Sequence, residues 1–477
     1  NINNLLLSAA PYPRGAVGAS RPFHPKQGPG LRKEETFHAP ALVLNSRQGG
    51  LGGTSILHPG GWVAGFILYL ASPTLVPFPV TRGELMASSF HPPQRTLMGP
   101  GPSDVSPRVL EAMARPTLGH LDPVFVQFMD ELKGLLQFAF RTENPLTMPI
   151  SGPGSVGMET CFVNLVEPGD TVVVCVNGVF GGRMKENVVR CGATPVVIED
   201  EWGRSVDPAK VEDALTSHPE AKILAIVHSE TSTGARSDAE LLVRLAHDHD
   251  CLVIADTVTS LGGIPVLLDE WGVDAAYSGS QKCLSCTPGL SPVSFGSRAV
   301  ELIRGRKTPV RSWFMDTNLV MGYWGTNEKR SYHHTAPINA LYGLHEALVI
   351  LAEEGLERAW ERHQRHHLAL RAGFEALGLR LTVPEAERLP QLNVIEVPEG
   401  VDEARVRGRL LDEYQLEVGA GLGALAGKVW RIGLMGHSCN LKNVLLCVGA
   451  FETILSGEGA SVETGVAEAA AQKAFAG

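Results

Sequence analysis

The residues best suited to chemistry follow apolar segments that we predict to be neighbouring strands. Asp256 comes directly after Leu-Val-Ile-Ala, so its carboxylate should lie at the edge of an apolar sheet. Lys282 follows the next predicted strand, in the run Gly-Ser-Gln-Lys-Cys, where an amine is poorly hydrated. Burial lowers the pKa of a lysine and frees its amine for Schiff-base chemistry with a carbonyl group.

The carboxylate of Asp256 needs a positively charged partner if it is buried. A pyridinium nitrogen would supply one, and Asp256 would keep that ring protonated so that it accepts electrons from a substrate carbanion. By itself Asp256 fits equally well a carboxylate that caps a helix or a loop, and most single lysines lie on the surface. An Asp and a Lys after successive strands of one parallel sheet are more specific, and they predict a catalytic pair.

Two glycine-containing segments upstream fit the remainder of such a cofactor. Gly154 and Ser155 lead into an amphipathic stretch at 156–166, and the N-terminus of a helix presents backbone N–H groups to an anion such as a phosphate. A plain turn has the same composition. Phe180 lies on a predicted glycine-flanked loop, where it would stack on a planar ring or belong to the core. With Lys282 and Asp256, these features predict pyridoxal 5′-phosphate as the cofactor.

Arg431 lies between apolar neighbours in the β-like run Val-Trp-Arg-Ile-Gly. A buried arginine must be paired or face a ligand. Its planar fork would bind a substrate α-carboxylate through two parallel hydrogen bonds. A structural ion pair is the other interpretation that the sequence leaves open.

Short β-rich runs alternate with amphipathic stretches from residue 95 onward, and this pattern must position those side chains. The predicted strands are 171–176, 194–198, 223–228, 252–255 and 275–278, and the predicted helices are 156–166, 184–190, 208–216 and 239–247. Strands that alternate with helices predict an α/β fold with a mainly parallel sheet, which binds ligands at the carboxyl ends of its strands.

The second half of the chain has a different pattern. Longer helices at 338–354 and 355–377 precede three further predicted strands at 391–397, 416–419 and 429–432. We therefore predict a large domain with its connecting helices at 95–376 and a smaller α+β domain at 377–477.

Bulk composition excludes several classes of protein. The 477 residues suit two or three domains, and a net charge of −10 argues against binding of nucleic acid. Eight cysteines without secreted-domain spacing fit free thiols in a reducing compartment. Cys283 and Cys286 have CxxC spacing, but no second pair accompanies them, so we expect no metal site. The basic run at 358–367 is interleaved with glutamates and predicts a solvated helix face.

The first 94 residues differ from the rest, because Gly, Pro, Ser and Arg are frequent and no periodicity lasts. We expect residues 1–94 to be disordered or a spurious extension, translated ahead of a true start at Met86. The apolar run at 61–80 is interrupted by three prolines, so we do not expect a membrane segment there. The C-terminus lacks a peroxisomal tripeptide, and without a credible signal peptide we expect a cytoplasmic protein.

Seven stretches follow one another in an order typical of a single enzyme family. They are Met-Gly-Pro-Gly-Pro-Ser at 98–103, Arg-Thr-Glu-Asn-Pro-Leu-Thr at 141–147, Ser-Glu-Thr-Ser-Thr-Gly at 229–234, Asp-Thr-Val-Thr-Ser-Leu-Gly-Gly at 256–263, Tyr-Ser-Gly-Ser-Gln-Lys at 277–282, Tyr-His-His-Thr at 332–335 and Arg-Ile-Gly-Leu-Met-Gly at 431–436. The chain resembles the class V aminotransferases of the type I pyridoxal-phosphate fold, and most closely the alanine–glyoxylate and serine–glyoxylate (or serine–pyruvate) branch.

This resemblance implies a role for each matching residue. Lys282 would carry the cofactor and shuttle a proton, Asp256 would pair with the pyridine nitrogen, and Arg431 would bind the substrate carboxylate. The implied cofactor-binding residues are Gly154, Ser155 and Gln281 at the phosphate, Thr231 at the ring oxygen, Phe180 and Val258 on opposite ring faces, and Tyr332 and Thr335 from a second subunit. The active unit would then be a homodimer.

The implied reaction is transfer of the amino group of alanine or serine to glyoxylate. Ser155 and Phe180 stand where a close family member has His and Trp, which leaves the preferred amino acid open. The alternatives are another amino donor on the same scaffold and a cysteine desulfurase-like lyase. The lyase branch has His before its lysine, whereas Gln281 stands here.

Overall fold

A seven-stranded sheet forms the centre of the chain in a computed structural model, which describes residues 88–325, 330–460 and 462–477. The strands of the described residues, in chain order, are β1 Thr96–Leu97, β2 Leu146–Ser151, β3 Thr171–Val176, β4 Thr194–Glu199, β5 Ala221–Val227, β6 Ser229–Glu230, β7 Ala235–Arg236, β8 Leu252–Asp256, β9 Ala275–Tyr277, β10 Leu290–Phe295, β11 Leu392–Glu396, β12 Leu416–Glu417, β13 Gly419–Ala420 and β14 Val429–Gly433.

The central sheet has the order β2-β10-β9-β8-β5-β3-β4. Strand β10 runs antiparallel to both of its neighbours, and the pairs from β9 to β4 are parallel. The three strands that precede the predicted catalytic segments, β5, β8 and β9, are adjacent, so their carboxyl ends meet at one edge. This arrangement confirms the predicted α/β class with a mainly parallel sheet.

Helices flank and follow this sheet. They are α1 Pro107–Met113, α2 Pro123–Phe140, α3 Gly154–Leu165, α4 Val179–Arg190, α5 Pro208–Ser217, α6 Ala239–Asp248, α7 Leu268–Trp271, α8 Ser297–Arg304, α9 Thr317–Trp324, α10 Ile338–Glu354, α11 Leu356–Ala376, α12 Glu403–Tyr414, α13 Leu441–Gly457 and α14 Ala467–Ala476. Several begin where an aspartate caps the first turn: the side chains of Asp207, Asp238 and Asp402 accept hydrogen bonds from backbone N–H groups of α5, α6 and α12.

Residues Ser88–Gly477 form one compact unit that contains two large hydrophobic clusters. One surrounds the central sheet and includes Phe162, Phe295 and Leu348. The other surrounds the three-stranded sheet β11-β14-β13 and includes Trp430 and Phe451. The end of α11 already belongs to this second cluster, and the domain boundary at residue 377 stays a prediction.

The segment that contains β1 ties the C-terminal sheet region to the rest of the chain. Strand β1 pairs in parallel with β12, and the backbone N–H of Gly433 donates to the carbonyl oxygen of Met98 at 2.7 Å. Beyond it, the backbone N–H of Asp104 donates to the Ser438 hydroxyl at 2.8 Å. We call residues 98–103 the strap, because the segment crosses between the C-terminal region and Lys282.

The predicted helix and strand positions agree closely with the structure where the periodicity was strong. Strands β2 and β10 and the two-residue strands β1, β6 and β7 were missed. The predicted strand at 416–419 is divided into β12 and β13, which pair with different partners. Each half is only two residues long, so the pattern of a single strand could not reveal that division.

The prediction of a solvated basic face at 358–367 is only partly correct, because Arg358 and Arg365 are exposed but the three histidines are not. His363, His366 and His367 are buried, at 0%, 6% and 4% exposure. The ring Nε2 of His363 accepts a hydrogen bond from the backbone N–H of Gly436 at 3.0 Å, and Arg362 donates to the Gly436 carbonyl at 2.8 Å. The interleaved charges indicated a helix face exposed to solvent. Arg362 and His363 instead hold the C-terminal region against the helix.

Two further findings concern the expectations for membranes and for the N-terminus. Among the described residues, no helix combines the length and the apolar character that crossing a bilayer requires. The expectations for residues 1–87, including the apolar run at 61–80, lie outside the described residues. Residues 88–94 are mostly exposed and contain neither helix nor strand.

We predict that Gly433→Ala weakens the junction between the strap and strand β14. A Cβ atom at Gly433 would lie 2.0 Å from the carbonyl oxygen of Gly99, so the strap must move away. Overpacking of this kind lowers the free energy of unfolding by about 1–3 kcal/mol, which urea denaturation measures. In the control Gly408→Ala, inside α12, a Cβ atom would meet nothing within 4 Å, and we expect an increase of about 0.5–1 kcal/mol. An unchanged midpoint for Gly433→Ala would contradict this account.

Candidate active site

Asp256 is the last residue of β8 and is 2% exposed. One carboxylate oxygen accepts a hydrogen bond from the Tyr277 hydroxyl at 2.7 Å, and the other accepts one from the backbone N–H of Val258 at 2.8 Å. Burial raises the pKa of Asp256 to about 7, although both hydrogen bonds lower it. The structure gives this carboxylate no cationic partner in direct contact among the described residues.

Lys282 lies in the turn after β9 and is 9% exposed. Its ammonium donates to the carbonyl oxygen of Pro100 in the strap. Burial lowers the pKa of Lys282 to about 8, and the nearby positive charge of Arg431 lowers it further. A substantial fraction of the amine is therefore neutral near physiological pH, as a nucleophilic lysine requires.

The strap fits closely around this lysine. Two features favour glycine at residue 101. Its φ is +102°, which other residues rarely adopt, and a Cβ atom there would lie 2.5 Å from Lys282 Nζ. The Ser103 hydroxyl donates to the backbone carbonyl of Lys282 at 2.8 Å. On the other side of the strap, a Cβ atom at Gly419 would lie 2.4 Å from Pro100 Cδ. The strap thus lies between the lysine turn and the C-terminal sheet.

Arg431 lies in β14, the central strand of the three-stranded sheet, and is 7% exposed. Its Nε donates to the Ala420 carbonyl at 2.6 Å and one terminal nitrogen donates to the Thr231 carbonyl at 3.1 Å. Burial lowers the pKa of Arg431 to about 10, and the charge of Glu230 opposes this change. No carboxylate forms an ion pair with Arg431 among the described residues, so the structural ion pair left open by the sequence is absent there.

Glu230, in β6, is a further buried charge, which sequence reasoning did not single out. It is 0% exposed, and the negative charge of Glu230 raises the pKa of Asp256. Glu230, Asp256, Lys282 and Arg431 influence one another electrostatically, yet none of them forms a direct ion pair in the described part of the chain. We call these four residues the charged quartet.

The N-terminus of α3 forms one wall of the same region. A Cβ atom at Gly154 would lie 3.2 Å from Val258 Cγ2, so the start of this helix packs against the segment that follows Asp256. The cap residue Pro153 provides no side-chain hydrogen bond to the first turn, in which Ser155 is exposed. The buried Oε1 of Gln281 also has no hydrogen-bond partner among the described residues. The backbone N–H groups of this first turn are suited to an anion, whereas the Gln281 oxygen can only accept a hydrogen bond and needs a donor.

Phe180 is located in the first turn of α4, not on a loop as we predicted. The backbone N–H of Phe180 donates to the Glu230 carboxylate at 3.0 Å. Two glycines near Phe180 let the helix begin directly after β3, which the loop prediction did not anticipate.

The side-chain hydroxyl of Thr231 contacts that of Thr259, and both side chains are buried.

Tyr332 and Thr335 take part in none of these contacts in the single chain. Tyr332 is 57% exposed, and its hydroxyl is 3.3 Å from that of Thr335, which is also exposed. The predicted site residues of one chain therefore fall into two groups. One group lies in or around the charged quartet, and the other is this exposed pair.

Several residues at the site were missed from sequence. Tyr277 could have been found, because it stands opposite Asp256 in the register of the parallel pair β8–β9. Pro100 and Gly101 had only a turn signature, and no local pattern indicates that this turn lies over Lys282. Glu230 stands in a polar run whose residues are all buried in the fold, and a polar composition gives no indication of burial.

The model of the family described as Aminotransferase class-V matches residues 112–438, which include Asp256, Lys282 and Arg431. This match spans more than half of the chain. The chain belongs to the class V aminotransferase family. It is an aminotransferase with the type I fold of pyridoxal-phosphate enzymes, as the resemblance implied.

Individual relatives of this aminotransferase agree with that placement. It is 43% identical to the alanine–glyoxylate aminotransferase of Drosophila melanogaster over 74% of this chain and 90% of that protein. Its fold matches the crystal structure of a ureidoglycine–glyoxylate aminotransferase from Bacillus subtilis with a TM-score of 0.80, at 38% identity over 82% of this chain and 100% of the other. The structure of an alanine–glyoxylate aminotransferase from Nostoc sp. matches with a TM-score of 0.76, at 47% identity over 78% of this chain and 98% of the other.

The residues of this aminotransferase fit pyridoxal phosphate, on which the family depends. Asp256 is a buried carboxylate without a direct cationic partner among the described residues, which suits a protonated ring nitrogen. The first turn of α3 has no side-chain cap, so its backbone N–H groups suit a phosphate. Lys282 has a depressed pKa, which suits covalent attachment of an aldehyde.

We predict that the amine of Lys282 reacts with half-maximal rate near pH 8 in the protein without cofactor, rather than near the ordinary value of 10.5. Burial disfavours the charged form, so the neutral and reactive amine predominates above pH 8. Competitive acetylation followed by peptide mass spectrometry measures the rate at which Lys282 reacts at each pH. The exposed Lys473 serves as the internal standard for the amount of reagent. Arg431→Gln removes a neighbouring positive charge and should raise the midpoint. A midpoint above pH 10 in the unaltered chain would contradict burial as the cause.

Proposed function

We propose that this aminotransferase transfers the amino group of alanine, or of serine, to glyoxylate with pyridoxal phosphate as cofactor. The products are pyruvate, or hydroxypyruvate, and glycine. Glyoxylate is supported as the acceptor because it appears in the names of the Drosophila, Nostoc and Bacillus relatives. Alanine is supported as the donor by two of these names.

The observation that carries the proposal is the pair of buried basic side chains, Lys282 and Arg431. Each is buried, and neither has an ion-pair partner among the described residues, although the charge of Arg431 lowers the pKa of Lys282. A small molecule with a carboxylate next to an amino or oxo carbon would pair with Arg431 and present its reacting carbon to Lys282. Amino acids and 2-oxo acids have that structure.

When bound, the protonated ring of pyridoxal phosphate accepts the electron pair that remains after a proton leaves the substrate α-carbon. Asp256 would hold the proton on the ring nitrogen. Tyr277 and the backbone N–H of Val258 keep the Asp256 carboxylate in place, and each accepting oxygen retains a second lone pair.

Lys282 would move the proton. Its neutral amine would accept the proton from the substrate α-carbon and hold it close to the reacting atoms for return, a role that requires a pKa near the working pH. Burial lowers the pKa of Lys282 to about 8 and so supports this role. The Pro100 carbonyl accepts a hydrogen bond from the same amine and would help to orient it.

Arg431 would bind the substrate carboxylate. Two of its nitrogens already donate to the Ala420 and Thr231 carbonyls, which fixes the plane of the guanidinium. The other terminal nitrogen has no partner among the described contacts and would face the carboxylate. A fixed fork loses less conformational freedom on binding than a mobile one.

The remaining residues would hold the cofactor in place. Gly154, Ser155 and Gln281 would bind its phosphate, and Thr231 would contact the ring oxygen. Val258 and Phe180 would lie on opposite faces of the ring.

Tyr332 and Thr335 would complete the phosphate site of a second subunit, since both are exposed in the single chain. The active unit would then be a homodimer with two equivalent sites. The cytoplasmic location expected from the sequence stays a prediction.

A different amino donor is the second candidate, because the Bacillus relative is named for ureidoglycine. A cysteine desulfurase-like lyase is less well supported. All eight cysteines are buried, and burial raises the pKa of Cys283 to about 12. A thiol that carries sulfur to a partner needs to be accessible and readily ionised.

We predict that the protein, loaded with pyridoxal phosphate, converts alanine and glyoxylate to pyruvate and glycine. A panel of alanine, serine, ureidoglycine and cysteine against glyoxylate and pyruvate, with products identified by mass spectrometry, is the measurement. Turnover of ureidoglycine alone would replace alanine as the donor, and sulfide release from cysteine would favour the lyase. Absence of amino transfer from every donor would overturn the proposal.

We also predict that Arg431→Gln raises KM for the amino donor by about a hundredfold, because it removes a buried partner of the carboxylate. The matched control is Arg380→Gln, since Arg380 is an exposed arginine paired with Glu396 on the neighbouring strand β11. That control should leave KM unchanged. Equal KM values for the two variants would contradict the carboxylate-binding role.

A further inference from the structure

Glu230 is fully buried, and the proposed chemistry gives it no part. Its Oε1 accepts hydrogen bonds from the backbone N–H of Ser232 at 3.0 Å and from the Ser232 hydroxyl at 2.5 Å. Its Oε2 accepts from the backbone N–H groups of Phe180 at 3.0 Å and of Gly181 at 3.3 Å. Four donors from two separate segments therefore converge on one carboxylate.

Every neighbour of the Glu230 carboxylate acts as a donor. The Ser232 hydroxyl accepts a hydrogen bond from the backbone N–H of Val179 at 2.9 Å, so its own hydrogen is free to point at Glu230. Burial raises the pKa of Glu230, and the hydrogen bonds from Ser232, Gly181 and Phe180 oppose that rise. A protonated carboxyl would place a donor against a donor, so the arrangement favours the ionised form.

The start of α4 is shaped to receive this carboxylate. A Cβ atom at Gly178 would lie 2.4 Å from Glu230 Cγ, so only glycine allows the approach. A Cβ atom at Gly181 would lie 2.5 Å from the Cys175 carbonyl oxygen, so the second glycine lets the helix pack on strand β3. Phe180, one of the two residues between these glycines, is the residue proposed to lie on the cofactor ring.

We infer that Glu230 is a positioning residue that anchors the first turn of α4 and thereby holds Phe180 against the face of the cofactor ring. This inference rests on the proposed function. Glu230 acts through two backbone hydrogen bonds and has no direct contact with the reacting atoms. The negative end of the side chain also lies at the N-terminus of a helix, where a carboxylate is stabilised by the exposed N–H groups.

The test compares Glu230→Gln with the unaltered full-length chain. Glutamine has nearly the same shape, but its amide N–H₂ must face either Ser232 or the N–H groups of α4. In the protein without cofactor, we expect faster amide hydrogen exchange at residues 178–183 and unchanged exchange in α6. The dissociation constant of pyridoxal phosphate, measured by fluorescence titration, should rise by about tenfold, as for loss of a charged hydrogen-bond acceptor.

A double-mutant cycle decides whether the effect passes through Phe180. Phe180→Ala should also weaken cofactor binding, and the double variant should bind no more weakly than Phe180→Ala alone, within about twofold. If the two penalties multiply instead, Glu230 acts by another route and the inference is overturned. Unchanged exchange and cofactor affinity in Glu230→Gln would overturn it as well.

The matched control is Ser229→Ala, one residue earlier in the same strand. The Ser229 hydroxyl is buried and has no hydrogen-bond partner among the described residues, so we expect no change in exchange or affinity. If Glu230→Gln fails to fold in urea titrations, Glu230→Asp replaces it, because its shorter side chain cannot hold both segments. Failure of the unaltered chain to bind pyridoxal phosphate would overturn the proposed function together with this role, whereas unchanged binding in the variant would overturn this role alone.

Discussion

The site depends on the burial of four charged side chains that form no direct ion pairs with one another or with other described residues. Removing an unpaired charge from water is unfavourable by several kcal/mol, so Glu230, Asp256, Lys282 and Arg431 must each be stabilised in another way. Backbone and hydroxyl groups provide that stabilisation for the two carboxylates, and backbone carbonyls do so for the two cations. The formal charges of the four cancel. With all four ionised, the site is neutral as a whole, and Asp256, Lys282 and Arg431 remain open to ligands, whereas four donors already occupy Glu230.

The fold provides these contacts where the seven-stranded central sheet meets the three-stranded sheet β11-β14-β13. Adjacent parallel strands end together, which places Asp256, Glu230 and the lysine turn at one edge, while β14 supplies Arg431 from the three-stranded sheet. The strap connects them, because Gly101 packs on Lys282 and Gly433 hydrogen-bonds to Met98. A shift of either sheet would alter the carbonyl groups that hold Lys282 and Arg431. Stability of the junction and reactivity of the site are consequently linked.

The sequence located Asp256 and Lys282 at strand ends, because period and polarity change there within a few positions, and it placed Arg431 within a strand, but it did not indicate Glu230. It could not identify the partners that come from remote segments, such as the Pro100 carbonyl on Lys282 or the turn of α4 on Glu230. It also took the histidines of α11 for a solvated face, since interleaved charges do not reveal which side of a long helix meets another element. Local patterns therefore predicted the fold class and the chemical groups. The tertiary contacts that shift the pKa values of those groups join remote segments and are visible only in the folded chain.

The central claim is that Lys282 binds pyridoxal phosphate covalently. The most direct measurement is reduction of the cofactor-loaded protein with borohydride, which converts the linkage to a stable secondary amine, followed by peptide mass spectrometry. The account predicts a pyridoxyl phosphate group on the peptide that contains Lys282, and its loss in Lys282→Ala. Modification of another lysine, or a colourless protein without any modified peptide, would contradict it.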